Sequence, residues 1–279
     1  MKSLILAFML LIGNQTMTEA PLPPAGQVIT PDIAAPPPKE DRVYPDPKNY
    51  SHISNASRSW YFNRNAVNQP PSAQREIDLS IYNARYLGDV DSPVIYLTFD
   101  MGYENGYTAA ILDILLEKEV HAAFFFTRHY ILSSPELTRR IAEEGHLPAH
   151  HSSGHSDFPG LTATQIASDI WDLELLFWET AEASLAPFFR PPSGVYSERV
   201  LAVIKDLGYQ TIFWSFAYQD WLTDQQPTRE AALKMMVDNL HPGSIMLLHS
   251  VSKANAAALG DFIDTAKSLG YTFASLTDL

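Results

Sequence analysis

Four polar residues with catalytic potential stand at the ends of apolar runs in this sequence. Asp100 ends the run 94–99, and His151, Arg190 and His249 each end another. Burying a charged carboxylate at the end of a strand costs free energy, which favours a chemical reason for its presence. We therefore interpret Asp100 as a catalytic base. Four such coincidences predict one assembled site.

Two histidines after residue 150 have the spacing of a metal-binding pair. His151 and His155 are four positions apart across two serines and a glycine, which lets both imidazoles turn to one point. Imidazole nitrogen suits Zn²⁺ or a similar divalent ion. The alternative is a pair of surface or hydrogen-bonded histidines, because His146 and His150 make the segment rich in histidine.

Charged partners are available for the base and for a candidate acid. A guanidinium beside Asp100 would keep it ionised and oriented, and Arg190 is assigned that role. His249 could protonate a leaving group, and Asp220 could orient it and raise its pKa. The structural alternatives are an ion pair between strand ends and a hydrogen-bonded histidine. Base, metal ligands and acid at separate strand ends together favour a catalytic site.

Strand-like and helical patterns alternate from residue 94 onward, and apolar residues recur at helical spacing in 111–120 and 166–177. Repeated β-then-α units predict an α/β fold with a parallel sheet. A distorted (β/α) barrel explains the convergence of polar residues better than an open doubly wound sheet, which would need a glycine-rich phosphate loop that segment 102–106 does not supply. The predicted strands are 94–100, 122–127, 147–151, 187–190, 210–216, 244–249 and 271–276.

The sequence before the barrel divides into three predicted segments. Residues 1–20 carry a lysine and a short apolar stretch, which indicates a signal peptide or an N-terminal anchor. Residues 21–50 contain nine of the 20 prolines and are predicted to be a linker. Residues 51–92 are predicted to be an appendage packed on the barrel, with a weakly amphipathic helix over 76–86. The barrel domain itself is placed at 93–279.

Composition narrows the class of protein. The chain has 279 residues, of which 46% are hydrophobic and 18% charged, which is an ordinary globular balance. The net charge of -13 disfavours nucleic acid and other polyanions as partners. The absence of cysteine excludes disulfides and thiolate ligands.

Five motifs in order resemble a known family, the NodB-type polysaccharide deacetylases of carbohydrate esterase family four. The motifs are Thr98-Phe99-Asp100, His151 to His155, Arg190-Pro191-Pro192, Asp220-Trp221 and Leu247-Leu248-His249. A narrower likeness to the spore-cortex N-acetylmuramic acid deacetylases, which lead to muramic δ-lactam, rests on the segments 102–108, 190–195, 208–211 and 241–243.

The resemblance implies a distorted (β/α) barrel and hydrolysis of an N-acetyl group from a glycan. The resemblance implies that Asp100 is the base and that Arg190 orients it. It implies that His249 is the acid and that Asp220 orients it. His151 and His155 are implied to bind a divalent metal, with Zn²⁺ as the expected ion. Main-chain N–H groups near Ser193 would stabilise the oxyanion together with the metal. The expected substrate-binding residues are Tyr103, Ser193, Gly194, Tyr196 and Trp221. Trp214 is instead assigned to strand packing.

Two positions depart from the wider family. Met101 stands where the family has a second acid that usually binds the metal, and a thioether is a poor ligand for such an ion. Ser193 stands where the wider family has tyrosine. The muramic acid branch tolerates both changes, so we interpret them as marks of that subgroup and expect a weakened metal site.

Three functions are compared. The first is an extracytoplasmic, monomeric enzyme that deacetylates N-acetylmuramic acid in the glycan strand of peptidoglycan, secreted or tethered to the membrane by its N-terminus. The second is a deacetylase of N-acetylglucosamine polymers. The third, motivated by Met101, is a glycan-binding protein with lost or reduced turnover, although intact Asp100 and His249 speak against a pure binder.

Overall fold

The structure is a computed structural model, and part of the N-terminus lies outside its described residues. Those described are 35–38, 41–66, 68–74 and 76–279. The predicted signal peptide or anchor and most of the predicted linker therefore lie outside them. Within the described ranges, no helix is both long enough and apolar enough to cross a membrane.

Strands and helices alternate through most of the described chain. The strands are β1 Arg58–Ser59, β2 Phe62–Asn63, β3 Ser72–Ala73, β4 Ala84–Arg85, β5 Val94–Met101, β6 Ala123–Phe126, β7 Leu147–His150, β8 Phe188–Phe189, β9 Val195–Tyr196, β10 Gln210–Ile212, β11 Ser244–His249 and β12 Thr272–Phe273. The helices are α1 Thr108–Glu117, α2 Arg128–Ser133, α3 Pro135–Glu143, α4 Ala163–Ala181, α5 Glu198–Asp206, α6 Arg229–Asp238 and α7 Lys253–Ser268.

The main sheet is parallel and curled. Its strands lie in the order β11-β5-β6-β7-β8-β10-β4, with β12 also paired to β5. After β10 the chain crosses back, and Phe216 forms a parallel bridge with Met246 of β11. This bridge joins the two sides of the sheet, and the predicted distorted (β/α) barrel is confirmed.

Successive side chains of β5 point to opposite faces of the strand, which separates the residues of the core from those of the site. Ile95, Leu97 and Phe99 are buried in one apolar cluster with residues of α1 and α7. Asp100 has the opposite parity, so its side chain leaves the other face of the strand. In the parallel register, His249 of β11 lies directly beside Asp100.

The segment before the barrel pairs with it at two places. β4 extends the parallel sheet beside β10, and β1 pairs antiparallel with β9. The ring of Trp60 stacks on Phe213 at a centroid distance of 4.4 Å, and its Nε1–H donates to the carbonyl of Trp214 at 3.0 Å. These contacts connect the N-terminal segment to the wall of the barrel.

The predicted helix over 76–86 is wrong. Only a short 3-10 helix forms at Leu79–Tyr82, and Asn83 then takes a left-handed φ of 51° that ends it. The next two residues join the parallel sheet as β4. Pairing with β10 therefore overrides the weak helical pattern.

Part of the predicted linker contacts the domain. Arg42 forms an ion pair with Glu174 of α4. The hydroxyl of Tyr50, a buried residue, donates to Asp206 at 2.9 Å. Arg42 and Tyr50 thus anchor this part of the predicted linker on the domain, and most of the residues between them are exposed.

Candidate active site

Asp100 and His249, two of the residues predicted to be catalytic, line one cavity at the carboxyl ends of the barrel strands. Their partners Arg190 and Asp220 are buried behind them. The cavity has a volume of about 600 Å³. Its lining combines polar and aromatic side chains, including those of Asp100, Tyr103, His151, His155, Ser193, Trp214, Trp221, Leu247 and His249. Parallel strands place their ends at one edge, so residues far apart in the chain converge there.

Asp100 is held by Arg190. Their Oδ1 and Nη1 atoms lie 2.8 Å apart, and both side chains are buried. The guanidinium also lies over the ring of Phe125, at 4.1 Å from its centroid, and its Nε donates to the carbonyl of Ile212 at 3.1 Å. Arg190 is therefore fixed in place independently of the carboxylate.

Electrostatics keeps Asp100 ionised. Burial alone would raise the pKa of Asp100, but the charges of His151 and Arg190 outweigh it and hold that pKa below its ordinary value. Burial also lowers the pKa of His151 to about 4, so this imidazole is neutral near pH 7. The permanent charge of Arg190 and its hydrogen bond to Asp100 then persist, together with the smaller effect of the charge of His249.

His249 is paired with a buried carboxylate. Its Nδ1 lies 2.6 Å from Oδ1 of Asp220, and its backbone N–H donates to Oδ2 of the same residue at 2.8 Å. Burial alone would lower the pKa of His249, but the charge and hydrogen bond of Asp220 outweigh it and raise that pKa. The raised pKa favours the protonated imidazole, and Nδ1 is occupied by Asp220.

The two candidate metal ligands are neighbours. The ring centroids of His151 and His155 lie 5.1 Å apart. Left-handed backbone at Ser152, with a φ of 69°, and at His155, with a φ of 50°, turns the loop tightly enough to bring the rings together. Such conformations are strained for residues with side chains and are typical of functional loops.

The donor set fits a divalent ion with two protein nitrogen ligands. Nδ1 of His151 lies 2.9 Å from the carbonyl oxygen of Arg190, so it donates its proton there and leaves the lone pair of Nε2 available. In the described part of the chain, no three His, Cys, Asp or Glu side chains are grouped to hold a metal. Water or substrate oxygen would have to complete the coordination shell.

The predicted substrate-binding residues divide into two groups. Tyr103, Ser193, Gly194 and Trp221 line the cavity. Tyr196 does not: it is fully buried, and its hydroxyl accepts a hydrogen bond from Gln74. The prediction for Tyr196 is wrong, because pairing of β9 with β1 turns this residue into the core.

The main-chain groups near Ser193 are less available than predicted. The N–H of Gly194 donates to the carbonyl of Pro191 at 3.0 Å. It therefore has no free hydrogen for an oxyanion in this conformation. Ser193 itself is exposed to the cavity and has a left-handed φ of 53°.

Comparison with known proteins decides the family. A model of the polysaccharide deacetylase family matches residues 88–212. The peptidoglycan-N-acetylmuramic acid deacetylase PdaA of Bacillus subtilis strain 168 is 42% identical over 229 residues, which cover 81% of this chain and 87% of the relative. The chain belongs to the polysaccharide deacetylase family.

A solved structure of PdaA and a second relative agree with membership of the polysaccharide deacetylase family. The solved structure of Bacillus subtilis PdaA, a family 4 carbohydrate esterase, superposes with a TM-score of 0.79 at 41% identity, covering 81% of this chain and 98% of that one. A peptidoglycan-N-acetylglucosamine deacetylase of Bacillus cereus is 30% identical over 67% of this chain and 87% of the relative.

Met101 does not line the cavity. It stands at the position where the resemblance implies a second acidic residue in the wider deacetylase family. Its side chain is fully buried in the same apolar cluster as Phe99 and Phe126. It shares the parity of Phe99 along β5 and is opposite in parity to Asp100. Met101 therefore supplies packing here and no ligand.

Trp214 lines the cavity, whereas the sequence pattern predicts that it packs within a strand. β10 ends at Ile212, so Trp214 lies beyond the strand and is half-buried in the cavity wall. A Cβ added to Gly194 would come within 2.8 Å of its ring, so only glycine permits this close packing. The sequence signal was weak, because an aromatic residue in an apolar run is usual for a buried strand.

Proposed function

We propose that this chain hydrolyses the N-acetyl group of a peptidoglycan sugar, with N-acetylmuramic acid as the preferred residue. One observation carries the proposal: a carboxylate held by a guanidinium and an imidazole held by a carboxylate occupy adjacent strand ends at one cavity. This pairing gives a base and an acid at the same pH, which amide hydrolysis needs.

Asp100 acts as the base in this proposal. Its pKa is held below its ordinary value, so it is ionised at neutral pH and can accept a proton from water. As that proton leaves, the water oxygen forms a bond to the acetamide carbon. The neighbouring Arg190 keeps the carboxylate oriented throughout and does not take up the proton itself.

His249 acts as the acid. Nδ1 is occupied by Asp220, so the proton that it delivers is the one on Nε2. The C–N bond breaks as that proton reaches the sugar nitrogen, which leaves as a neutral amine. The products are acetic acid, which then loses its proton to solvent, and a free amino sugar, and the proton taken by Asp100 balances the proton given by His249.

His151 and His155 would hold a divalent metal, with Zn²⁺ as the expected ion. Such an ion supplies Lewis acidity toward the acetamide oxygen and lowers the pKa of a bound water. The contribution of the chain is to lock the His151 ring through the carbonyl of Arg190. The strained loop between the two histidines fixes their separation.

The aromatic lining suits a sugar. Tyr103 and Trp221 are each nearly half exposed, and the tyrosine hydroxyl lies 3.4 Å from the carbonyl oxygen of Trp221. Trp214 presents a third ring on the cavity wall. Exposed aromatic faces bind the apolar faces of pyranose rings, so these side chains and Ser193 are proposed to position the glycan.

The setting is proposed from the relatives. PdaA of Bacillus subtilis is named for its action on N-acetylmuramic acid in peptidoglycan. We infer that this chain acts outside the cytoplasm on the cell wall, with residues 1–20 as a signal peptide or anchor. The spore cortex and the route to muramic δ-lactam are the proposed context.

A second candidate substrate is N-acetylglucosamine in peptidoglycan. The Bacillus cereus relative named for that activity is 30% identical to this chain. The base, the acid and the histidine pair would serve either sugar, since they act on the acetamide. The choice depends on contacts around the ring.

The test is acetate release and sugar analysis with three substrates: peptidoglycan stripped of stem peptides, intact peptidoglycan and an N-acetylglucosamine oligomer. The proposal predicts acetate and deacetylated muramic acid from the stripped substrate. Deacetylated glucosamine with fully acetylated muramic acid would favour the second candidate. Glycan binding without acetate from any substrate, with Zn²⁺ supplied, would favour a binding protein.

A further inference from the structure

Asn255 lies behind the Asp220–His249 pair and touches both residues. It is in the first turn of α7, where its backbone N–H donates to the N-cap Ser252. Its side chain is fully buried. Nδ2 donates to Oδ2 of Asp220 at 2.6 Å and to the backbone carbonyl of His249 at 3.1 Å. Asn255 does not line the cavity, so it acts on the site only through these two residues.

Tyr218 orients the amide of Asn255. The tyrosine hydroxyl donates to Oδ1 of Asn255. With Oδ1 occupied by a donor, the NH₂ group must face Asp220. Burial, followed by the charge of Asp220, raises the pKa of Tyr218 above its ordinary value, so the hydroxyl keeps its proton near neutral pH and remains a donor.

The hydrogen bonds of Asp220 show what Asn255 contributes. Oδ2 accepts from the backbone N–H of His249 and from Asn255, and Oδ1 is left for Nδ1 of His249. Three donors fix the rotation of a fully buried carboxylate. Without Asn255, a single donor would hold Oδ2, and the carboxylate plane could rotate away from the imidazole.

We propose that Asn255 is a positioning residue for the acid. It holds Asp220 in the rotation that keeps the proton on Nδ1 of His249 and directs Nε2 toward the cavity, and Tyr218 fixes its amide for this purpose. The inference rests on the proposed function, because it assigns a positioning role within the same site.

The first test does not depend on turnover. In wild type, the proton on Nδ1 of His249 should give a downfield nitrogen-bound proton resonance, protected from water by its hydrogen bond to Asp220. Asn255→Ala should abolish this resonance through exchange with water. Tyr218→Phe, which keeps the ring, should broaden it. Asn239→Ala, which removes a matched amide at the end of α6, should leave it unchanged. An unaltered resonance in folded Asn255→Ala would overturn the inference.

The second test separates acid catalysis from general damage. Asn255→Ala should lower kcat for the acetamide substrate by about 10–100-fold and leave KM within about twofold, because general acid catalysis supplies roughly 10²–10⁴-fold. Hydrolysis of 4-nitrophenyl acetate should stay within about twofold, since its leaving group departs as an anion and needs no proton.

The outcomes separate the inference from the proposed function. Equal losses on amide and ester would indicate a purely structural role and overturn the inference. If wild type releases no acetate from any glycan, the proposed function fails, and the histidine resonance still decides whether Asn255 positions Asp220.

Discussion

Arg190 Nη1 lies 2.8 Å from Asp100 Oδ1, and neither side chain is open to solvent beyond a few per cent. A buried ion pair of this kind adds little net stability compared with apolar residues of the same size, but removing one partner leaves the other charge uncompensated. The pair is therefore best explained by the proposed mechanism, in which Arg190 keeps Asp100 ionised and oriented toward the cavity.

Removing Arg190 alone should cost more stability than removing both charges. Arg190→Met leaves the Asp100 carboxylate buried and unpaired, and we expect the free energy of unfolding to fall by about 3–5 kcal/mol. Adding Asp100→Asn should recover part of that loss. Urea denaturation of the two single variants and the double variant measures the coupling. Strictly additive effects would show that the two side chains do not interact as described.

The alkaline side of the pH–rate profile should report His249. The acid must be protonated, so kcat/KM should fall as pH rises through the pKa of His249, which Asp220 raises above its ordinary value. Asp220→Asn removes the negative charge and should move this limb to lower pH. Loss of the carboxylate lowers the pKa of His249. Because the imidazole is protonated mainly below its pKa, the pH at which activity falls decreases with it. A limb that stays in place would exclude His249 as the titrating acid.

Four residues of the site could be predicted from sequence for one physical reason. Asp100, His151, Arg190 and His249 lie at or directly after the carboxyl ends of parallel strands, and these ends meet at one edge. The strand pattern and the order of the motifs were therefore enough to bring them together. No knowledge of the loops was needed.

Other residues could not be placed because their surroundings come from distant pairings. Tyr196 is buried by pairing with a strand near residue 58, and Trp214 is exposed to the cavity because β10 ends early. Asn255 lies in a helix whose periodicity predicts only a buried face. Its contact with Asp220 depends on how α7 packs behind the loop, which no local pattern encodes.

Metal removal should abolish acetate release, and Zn²⁺ should restore it. Among the histidines that line the cavity, His151 and His155 are the neighbouring pair assigned to the metal, and His151→Ala should weaken Zn²⁺ binding by about tenfold or more, equivalent to about 1.4 kcal/mol. His129→Ala is the control, since His129 lines the same cavity outside the histidine pair. Equal weakening by both substitutions, measured by calorimetry, would argue against the assigned ligands.

Trp214 should contribute to glycan binding. Trp214→Ala removes an aromatic face from the cavity wall, and we expect KM to rise by roughly tenfold, equivalent to about 1.4 kcal/mol, with a smaller change in kcat. Trp178→Ala, on α4 and outside the cavity lining, serves as the matched control. A fall in kcat at constant KM would instead place Trp214 among the groups that act in the chemical step.

The most direct test of the account is acetate release by Asp100→Asn compared with wild type, on peptidoglycan stripped of stem peptides and at equal Zn²⁺ loading. Asparagine keeps the size of the side chain and an oxygen for Arg190 but cannot accept the proton from water. We expect Asp100→Asn to lower acetate release by about 10²–10⁴-fold or more while circular dichroism shows that the fold is retained. Release within tenfold of wild type would contradict the assignment of Asp100 as the base.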